Sequence, residues 1–301
     1  MPKFLKYACY IFLFVFAFFI FLYWSFPYNI LKERLITATE AQLGPDYDVR
    51  VGSFSPSFFT GATLKQVKII KHDKDTTKTV WEVQKIKLRV SLGAFIFGRT
   101  NVKFLVKNQK STISGVYKNT DDGFVFNGEL SNFNIGDFGI ASEGSVMPVS
   151  SIDGTIKMNI NKKQVIQSAG TVNLSLSDIR IKAGKLSLGE GMDFNIPELV
   201  LANGGDVKIE LAKGSIHVSE FKFKDSDLKL DMTGDIFMSS VLKNYRMNLK
   251  GSFSVTPKLE QAMPFLFMVE KQRGADGTYP FTITGRMGQP SIKIGDFTLP
   301  I

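Results

Sequence analysis

The chain has 301 residues, 44% of them hydrophobic and 22% charged, with 26 Gly, 11 Pro and a formal net charge of +9. This composition excludes a collagen, a disordered tail and a coiled coil. The single cysteine, Cys9, excludes an intrachain disulfide framework, and two histidines, His72 and His217, leave little for metal chemistry or a His-dependent relay. The basic residues are scattered rather than clustered, which argues against nucleic acid as a partner.

The opening segment reads as a membrane anchor. Tyr7 to Leu31 contains no charged residue, and its centre runs Ile11, Phe12, Leu13, Phe14, Val15, Phe16, Ala17, Phe18, Phe19, Ile20, Phe21, Leu22. About 20 apolar residues suffice to cross a bilayer as a helix. The large apolar side chains of this run together favour insertion by roughly 3 to 7 kcal/mol. The pattern predicts a cytoplasmic tail over 1–6 and a transmembrane helix over 7–28. Lys3 and Lys6 set its orientation, and Tyr23, Trp24 and Tyr28 form an aromatic belt at the outer interface. A cleaved signal peptide would need small residues after the apolar run. Here Tyr23-Trp24-Ser25-Phe26-Pro27 follows, which is bulky, so the segment reads as a retained single-pass anchor. Cys9 lies before the run and does not read as a lipid-attachment site.

Residues 29–45 follow as a membrane-adjacent helix and linker. Ile30, Leu31, Leu35, Ala38 and Ala41 lie near helical spacing, and Gly44-Pro45 stops the helix. From 46 to 301 alternation with period two takes over. Ile86, Leu88 and Val90 alternate with Lys85, Lys87 and Arg89. Ile156, Met158 and Ile160 follow the same rule, as do Val172, Leu174 and Leu176, then Val207, Ile209 and Leu211, then Leu228, Leu230 and Met232. Such one-sided alternation predicts antiparallel strands with one wet face. Asp122-Gly123, Asp153-Gly154, Ala183-Gly184, Asn203-Gly204, Lys213-Gly214 and Thr233-Gly234 read as breaks between strands. Asn203-Gly204 and Asp122-Gly123 are the best hairpin signals among them. Lys258 to Arg273 predicts one helix within the β region, bounded by Pro257 and Gly274 and interrupted by Pro264. The fold class is therefore mainly β: an elongated, curved, largely antiparallel sheet in one domain, with one or two short helices.

No catalytic constellation, cofactor motif or metal-ligand spacing stands out. His72 sits in a polar turn, and His217 alternates between Ile216 and Val218 on a polar face. The acidic pairs Asp46/Asp48, Asp73/Asp75, Asp121/Asp122 and Asp225/Asp227 read as turn residues that cap the backbone. The residue pattern predicts a protein that is not an enzyme.

Three features carry a family resemblance. A single anchor ends in Phe26-Pro27-Tyr28. A membrane-adjacent helix then leads to Ser53-Phe54-Ser55-Pro56 and a first strand Gly61-Ala62-Thr63-Leu64-Lys65-Gln66-Val67-Lys68-Ile69. The chain closes with Tyr279-Pro280-Phe281-Thr282-Ile283-Thr284-Gly285-Arg286-Met287-Gly288-Gln289-Pro290. In this order the chain resembles the type II secretion system protein N family, and Gly61 to Ile69 with Val80 to Gly98 looks like the opening of AsmA-like proteins. The resemblance implies a component of the bacterial inner membrane whose bulk faces the periplasm. It also implies a structural or accessory part in protein secretion, with other secretion subunits as partners. The AsmA-like alternative is a lipid-binding or phospholipid-transport protein of the envelope, its apolar sheet face serving as a groove. Alternation alone leaves open whether that face is a filled core or an open groove.

Overall fold

A computed structural model describes residues 10, 12–14, 17, 21, 28–57, 60–73, 76–91, 93–94, 97–138, 148–181, 183–187, 193–196, 198–201, 203–224, 227–262 and 266–299. Among these no helix is long and apolar enough to cross a membrane. Phe12, Leu13, Phe14 and Phe21 of the expected span are helical. Lys3, Lys6, Ile11, Val15, Phe16, Phe18, Phe19, Ile20, Leu22, Tyr23 and Trp24 lie outside the described residues.

The first full element is helix α1, Tyr28–Leu43. Gly44 ends it with a φ of 108°, and the Gly44 amide donates to the Glu40 carbonyl at 2.9 Å. A left-handed residue is the usual helix stop, and only glycine adopts it freely. The Val49 amide donates to the Glu40 carboxylate at 2.9 Å, and Ile36 packs on Val49, Val51, Leu64 and Val67, so α1 folds back onto the sheet's first edge.

The alternation then generates strand after strand: β1 (Tyr47–Ser57), β2 (Gly61–Asp73), β3 (Thr76–Val90), β4 (Asn101–Asn108), β5 (Ser111–Thr120), β6 (Gly123–Phe133), β7 (Pro148–Asn161) and β8 (Ala169–Ile181). After the small hairpin β9 (Gly184–Ser187) and β10 (Asp193–Ile196) come β11 (Leu199–Leu201), β12 (Gly205–Ala212), β13 (Ser215–Phe223), β14 (Leu228–Phe237) and β15 (Arg246–Val255). The last strands are β16 (Tyr279–Arg286), β17 (Gln289–Ile294) and β18 (Phe297–Thr298). Sixteen of them form one antiparallel sheet in which each strand lies beside its neighbour in sequence, except that β11 and β12 both return to β8. Among the described residues β9 and β10 pair only with each other, in a separate ribbon.

Several glycines stand elsewhere than the sequence reading put them. Gly154 and Gly234 lie inside β7 and β14, not between strands. Their φ values are 154° and 140°, and a Cβ would come within 2.1 Å and 2.2 Å of a carbonyl oxygen of the next strand. Asn203-Gly204 makes no hairpin. The Gly204 amide bonds the Leu201 carbonyl, and β11 and β12 both pair with β8, so this turn joins two consecutive segments along one partner. The hairpin at Asp122-Gly123 is real but one residue displaced: Thr120 faces Gly123 across the turn residues Asp121 and Asp122. The helix expected over 258–273 is split into α2 (Pro257–Ala262), α3 (Leu266–Val269) and a 3-10 turn at Glu270–Gln272, and Pro264 lies outside the described residues.

Cores close at the two margins of the sheet. At one, Val49, Val51, Leu64 and Val67 are buried under α1. At the other, Leu266 and Val269 of α3 cover Tyr279, Phe281 and Ile294.

Candidate functional site

The register places the apolar residues of consecutive strands side by side. One row runs Ile86, Val106, Ile113, Leu130, Gly154, Leu174, Val207, Phe221, Met232, Gly251, Phe281, Ile294. A second runs Leu88, Phe104, Gly115, Gly128, Ile156, Val172, Ile209, Val218, Gly234, Leu249, Ile283, Ile292. A third runs Val90, Val102, Tyr117, Phe126, Met158, Gly170, Leu211, Ile216, Ile236, Met247, Gly285, Pro290. Ile160 opposite Phe124, Leu176 opposite Ile152, Leu228 opposite Val255 and Leu230 opposite Phe253 extend the same face. All fifteen apolar positions expected from alternation thus share one surface. The strands that the sequence reading passed over, β4 to β6, contribute Phe104, Tyr117 and Phe126. The period-two signal of Val102, Phe104 and Val106 would have found the first of these.

Where the pattern slips, a bulge restores it. Asn132 and Asp178 take φ values of 47° and 50° at register shifts in β6 and β8. Each extra residue returns the next apolar side chain, Phe133 or Ile179, to the apolar side. The opposite face is wet and paired by register: Lys68 with Glu82 at 3.0 Å, Lys208 with Glu220 at 2.6 Å, Lys222 with Asp231 at 3.2 Å, and His217 with Asp235 at 2.9 Å. His217 therefore stands on the polar face, as its alternation implies.

Glycines on the apolar face make room for rings. A Cβ on Gly115 would lie 2.8 Å from the Phe104 ring, one on Gly128 2.9 Å from Phe126, and one on Gly251 2.8 Å from Phe281. The rings of Phe104 and Phe126 stack at 6.0 Å between centroids. Phe104 and Phe281 each cover a glycine of the adjacent strand, which helps hold register, while Phe126 covers Gly128 of its own strand.

Cover over this face is uneven. Ile86 and Leu88 pack on the core beneath α1, Leu230 and Met232 pack on the core beneath α3, and Val207 is buried. Val90, Ile156, Met158, Ile160, Val172, Leu174, Leu176, Ile209, Leu211 and Leu228 stay half-buried. Among the described residues, packing other than between paired strands comes from α1 on β1, α2 on β15, α3 on Tyr279, Phe281 and Ile294, and the 3-10 turns at Ile135–Phe138 and Val165–Gln167. Over β4 to β8 the extensive contacts among the described residues are those of the two 3-10 turns, Ile135–Phe138 on β7 and on Phe133 of β6, and Val165–Gln167 on β7.

One end of the strands is stopped. Phe138 is buried between Trp81 of β3 and Phe133 of β6, with ring centroids at 6.3 Å and 5.2 Å. A polar knot fixes it: the Ser111 hydroxyl donates to the Asp137 carboxylate at 2.7 Å and accepts from the Asn134 amide at 2.9 Å, and the Asn108 amide donates to the Glu82 carbonyl at 2.8 Å. At the same end, α3 and the buried Tyr279 close the last strands. The Tyr279 hydroxyl donates to Glu260 at 3.1 Å, and burial, reinforced by that carboxylate, pushes the phenol pKa up.

The polar residues singled out by the sequence reading that are described make local pairs. Asp48 binds Arg50 at 2.8 Å, Asp122 binds Lys163 at 2.7 Å, and Asp227 accepts from the Val200 amide at 3.1 Å. Asp75 and Asp225 lie outside the described residues. Among the described residues, no three His, Cys, Asp or Glu side chains converge as metal ligands would. Comparison of the chain with protein-family models, with characterised proteins and with solved structures finds no match.

Proposed function

We propose that this chain is a membrane-anchored lipid-holding protein of the bacterial envelope. Residues 7–28 cross the inner membrane with Lys3 and Lys6 in the cytoplasm, and residues 46–301 form a curved periplasmic trough whose apolar face takes acyl chains. The observation that carries the reading is the apolar surface of β4 to β8, whose side chains stay half-buried beneath no more than the 3-10 turns at Ile135–Phe138 and Val165–Gln167 among the extensively packed described elements. Shielding an acyl chain of about fifteen methylenes, at about 0.8 kcal/mol each, contributes roughly 12 kcal/mol. Phe138, in contact with strands as far apart in the sheet as β3 and β6, supports a bent sheet rather than a flat one.

Lipid extraction tests this. The full chain, purified gently in detergent, should retain phospholipid in stoichiometric amount by mass spectrometry of an organic extract. An Ile156→Asp/Leu174→Asp double variant should retain several-fold less. Equal lipid in both proteins would overturn the reading.

A second reading, an accessory part of the type II secretion apparatus, has one observation in its favour. Among the described residues, strand β1 is eleven residues long and pairs only with β2, and beyond Val49, whose amide Glu40 of α1 takes up, its outer edge offers itself for strand addition by a secretion subunit. Deleting the gene and measuring exoprotein release separates the two, since unchanged secretion leaves the lipid reading alone.

A further inference from the structure

The end of the strands opposite Phe138 and α3 is built differently. Four connections meet there: residues 162–168, Lys213-Gly214, residues 238–245 and Met287-Gly288. They touch one another. The Met238 amide donates to the Gly214 carbonyl and the Gly288 amide to the Lys243 carbonyl, both at 2.9 Å, and the Met287 amide donates to the Tyr245 carbonyl at 2.8 Å. A Cβ on Gly214 would lie 3.3 Å from Ile166. The contiguous tips carry large apolar side chains in the open: Ile166 is 71% exposed, Leu242 63% and Val241 52%, with Phe237 beside them at 45%.

The charges on these four connections are of one sign. From 162 to 168, 213 to 214, 237 to 246 and 286 to 289, the chain carries Lys162, Lys163, Lys213, Lys243, Arg246 and Arg286 and no acidic residue. Lys163 is held by Asp122 of the adjacent β5–β6 turn, and Lys162 lies 5.8 Å from the centre of the Phe124 ring.

Single exposed apolar residues are ordinary on a protein surface. Apolar tips on two connections joined through Lys213-Gly214, set among six basic residues with the Asp121-Asp122 turn beside Lys163, are the chemistry of a surface that enters the headgroup boundary of an anionic membrane. We propose that this rim docks on an anionic phospholipid bilayer. Ile166, Val241 and Leu242 enter the boundary between headgroups and acyl chains, and the Lys and Arg side chains meet the lipid phosphates. The inference goes beyond the lipid-holding reading and stands on the tips alone. Together the two would put the unplugged end of the trough against the lipid source.

Site-directed fluorescence tests it. In the full chain with Cys9→Ser, single cysteines replacing Ile166, Leu242 or Ala275 are labelled with an environment-sensitive nitrobenzoxadiazole probe. Each protein is reconstituted into phosphatidylcholine vesicles with or without one third phosphatidylglycerol, plus a spin-labelled lipid. Probes at 166 and 242 should shift to the blue and be quenched several-fold more with phosphatidylglycerol than without. The probe at 275, at the opposite end of the strands, should stay unquenched. A Lys213→Glu/Lys243→Glu variant, checked for native circular dichroism, should lose most of the quenching at 166. No quenching at 166 and 242, or quenching indifferent to phosphatidylglycerol, overturns the proposal. So does a blue shift without lipid quenching, which indicates a protein contact instead. Carbonate extraction of the same vesicles reads the anchor separately: extractable protein with quenched tips sinks the anchor and leaves the rim standing.

Discussion

Strands β14 to β17 and strands β4 to β8 follow the same alternating code, but their apolar faces end up in different surroundings. Beneath α3, Leu266, Val269, Tyr279 and Ile294 are 3% exposed or less. From Val102 to Leu176, no apolar strand side chain described is fully buried. The strands themselves do not make the difference. Helices α2 and α3 and the 3-10 turn at Glu270–Gln272 lie over one region, whereas the other carries two 3-10 turns among the described residues. A core is thus a property of the cover as much as of the sheet. One surface can act as structural filling at its margins and as a binding surface at its centre.

This contrast makes mutational costs differ by position. The largest effect should come from removing cover: Leu266→Ala leaves a cavity in a closed cluster and should cost about 2–5 kcal/mol. Leu174→Ala, of identical chemistry on the half-open face, should cost less than half as much. Equal shifts in the denaturation midpoint would erase the distinction between the two regions. Next comes crowding. Gly115→Val meets the Asn127 carbonyl oxygen at 2.5 Å and the Phe104 ring at 2.8 Å, and should cost about 1–3 kcal/mol. Gly93→Ala, with nothing within 4 Å, should be silent in the same unfolding assay.

A smaller effect concerns pH. Burial, then Glu260, raises the Tyr279 pKa in the folded chain. The associated stability is complete below the ordinary phenol value of about 10, and is lost as pH rises through the higher folded value. Tyr279→Phe should lose about 1 kcal/mol at neutral pH with its hydrogen bond. It should also flatten the alkaline fall in melting temperature, and a fall as steep as the parent's would assign that lability elsewhere. Smallest of all, Lys163→Ala breaks only an exposed pair with Asp122 and should leave the melting temperature unchanged.

Much of the architecture was legible locally. A side-chain period of two fixes which residues share a face once strands pair, so Ile86, Met158 and Leu211 reach the same surface though far apart in sequence. Helix α1 and its stop at Gly44 were equally local. The in-strand glycines were not. Glycine suits both a turn and a crowded strand, and at Gly154 and Gly234 the deciding contact is a carbonyl on the next strand, which no short window contains. Asn203-Gly204 failed for a related reason: a turn sequence specifies a bend but not which strand will be waiting beyond it. The candidate site was half legible. Alternation gave the face, while its openness depends on where Phe138 and α3 settle. The basic and apolar tips were invisible because they come from four connections that only the register brings together.

The succession of neighbours in the sheet has one more consequence. Nearly every strand is hydrogen-bonded to those before and after it in the chain. Inserting or deleting a hairpin among β4 to β8 would therefore leave both closed margins intact and change their separation by about 10 Å. Such a molecule carries its own ruler, graduated in pairs of strands, and its span can lengthen or shorten without redesigning either end.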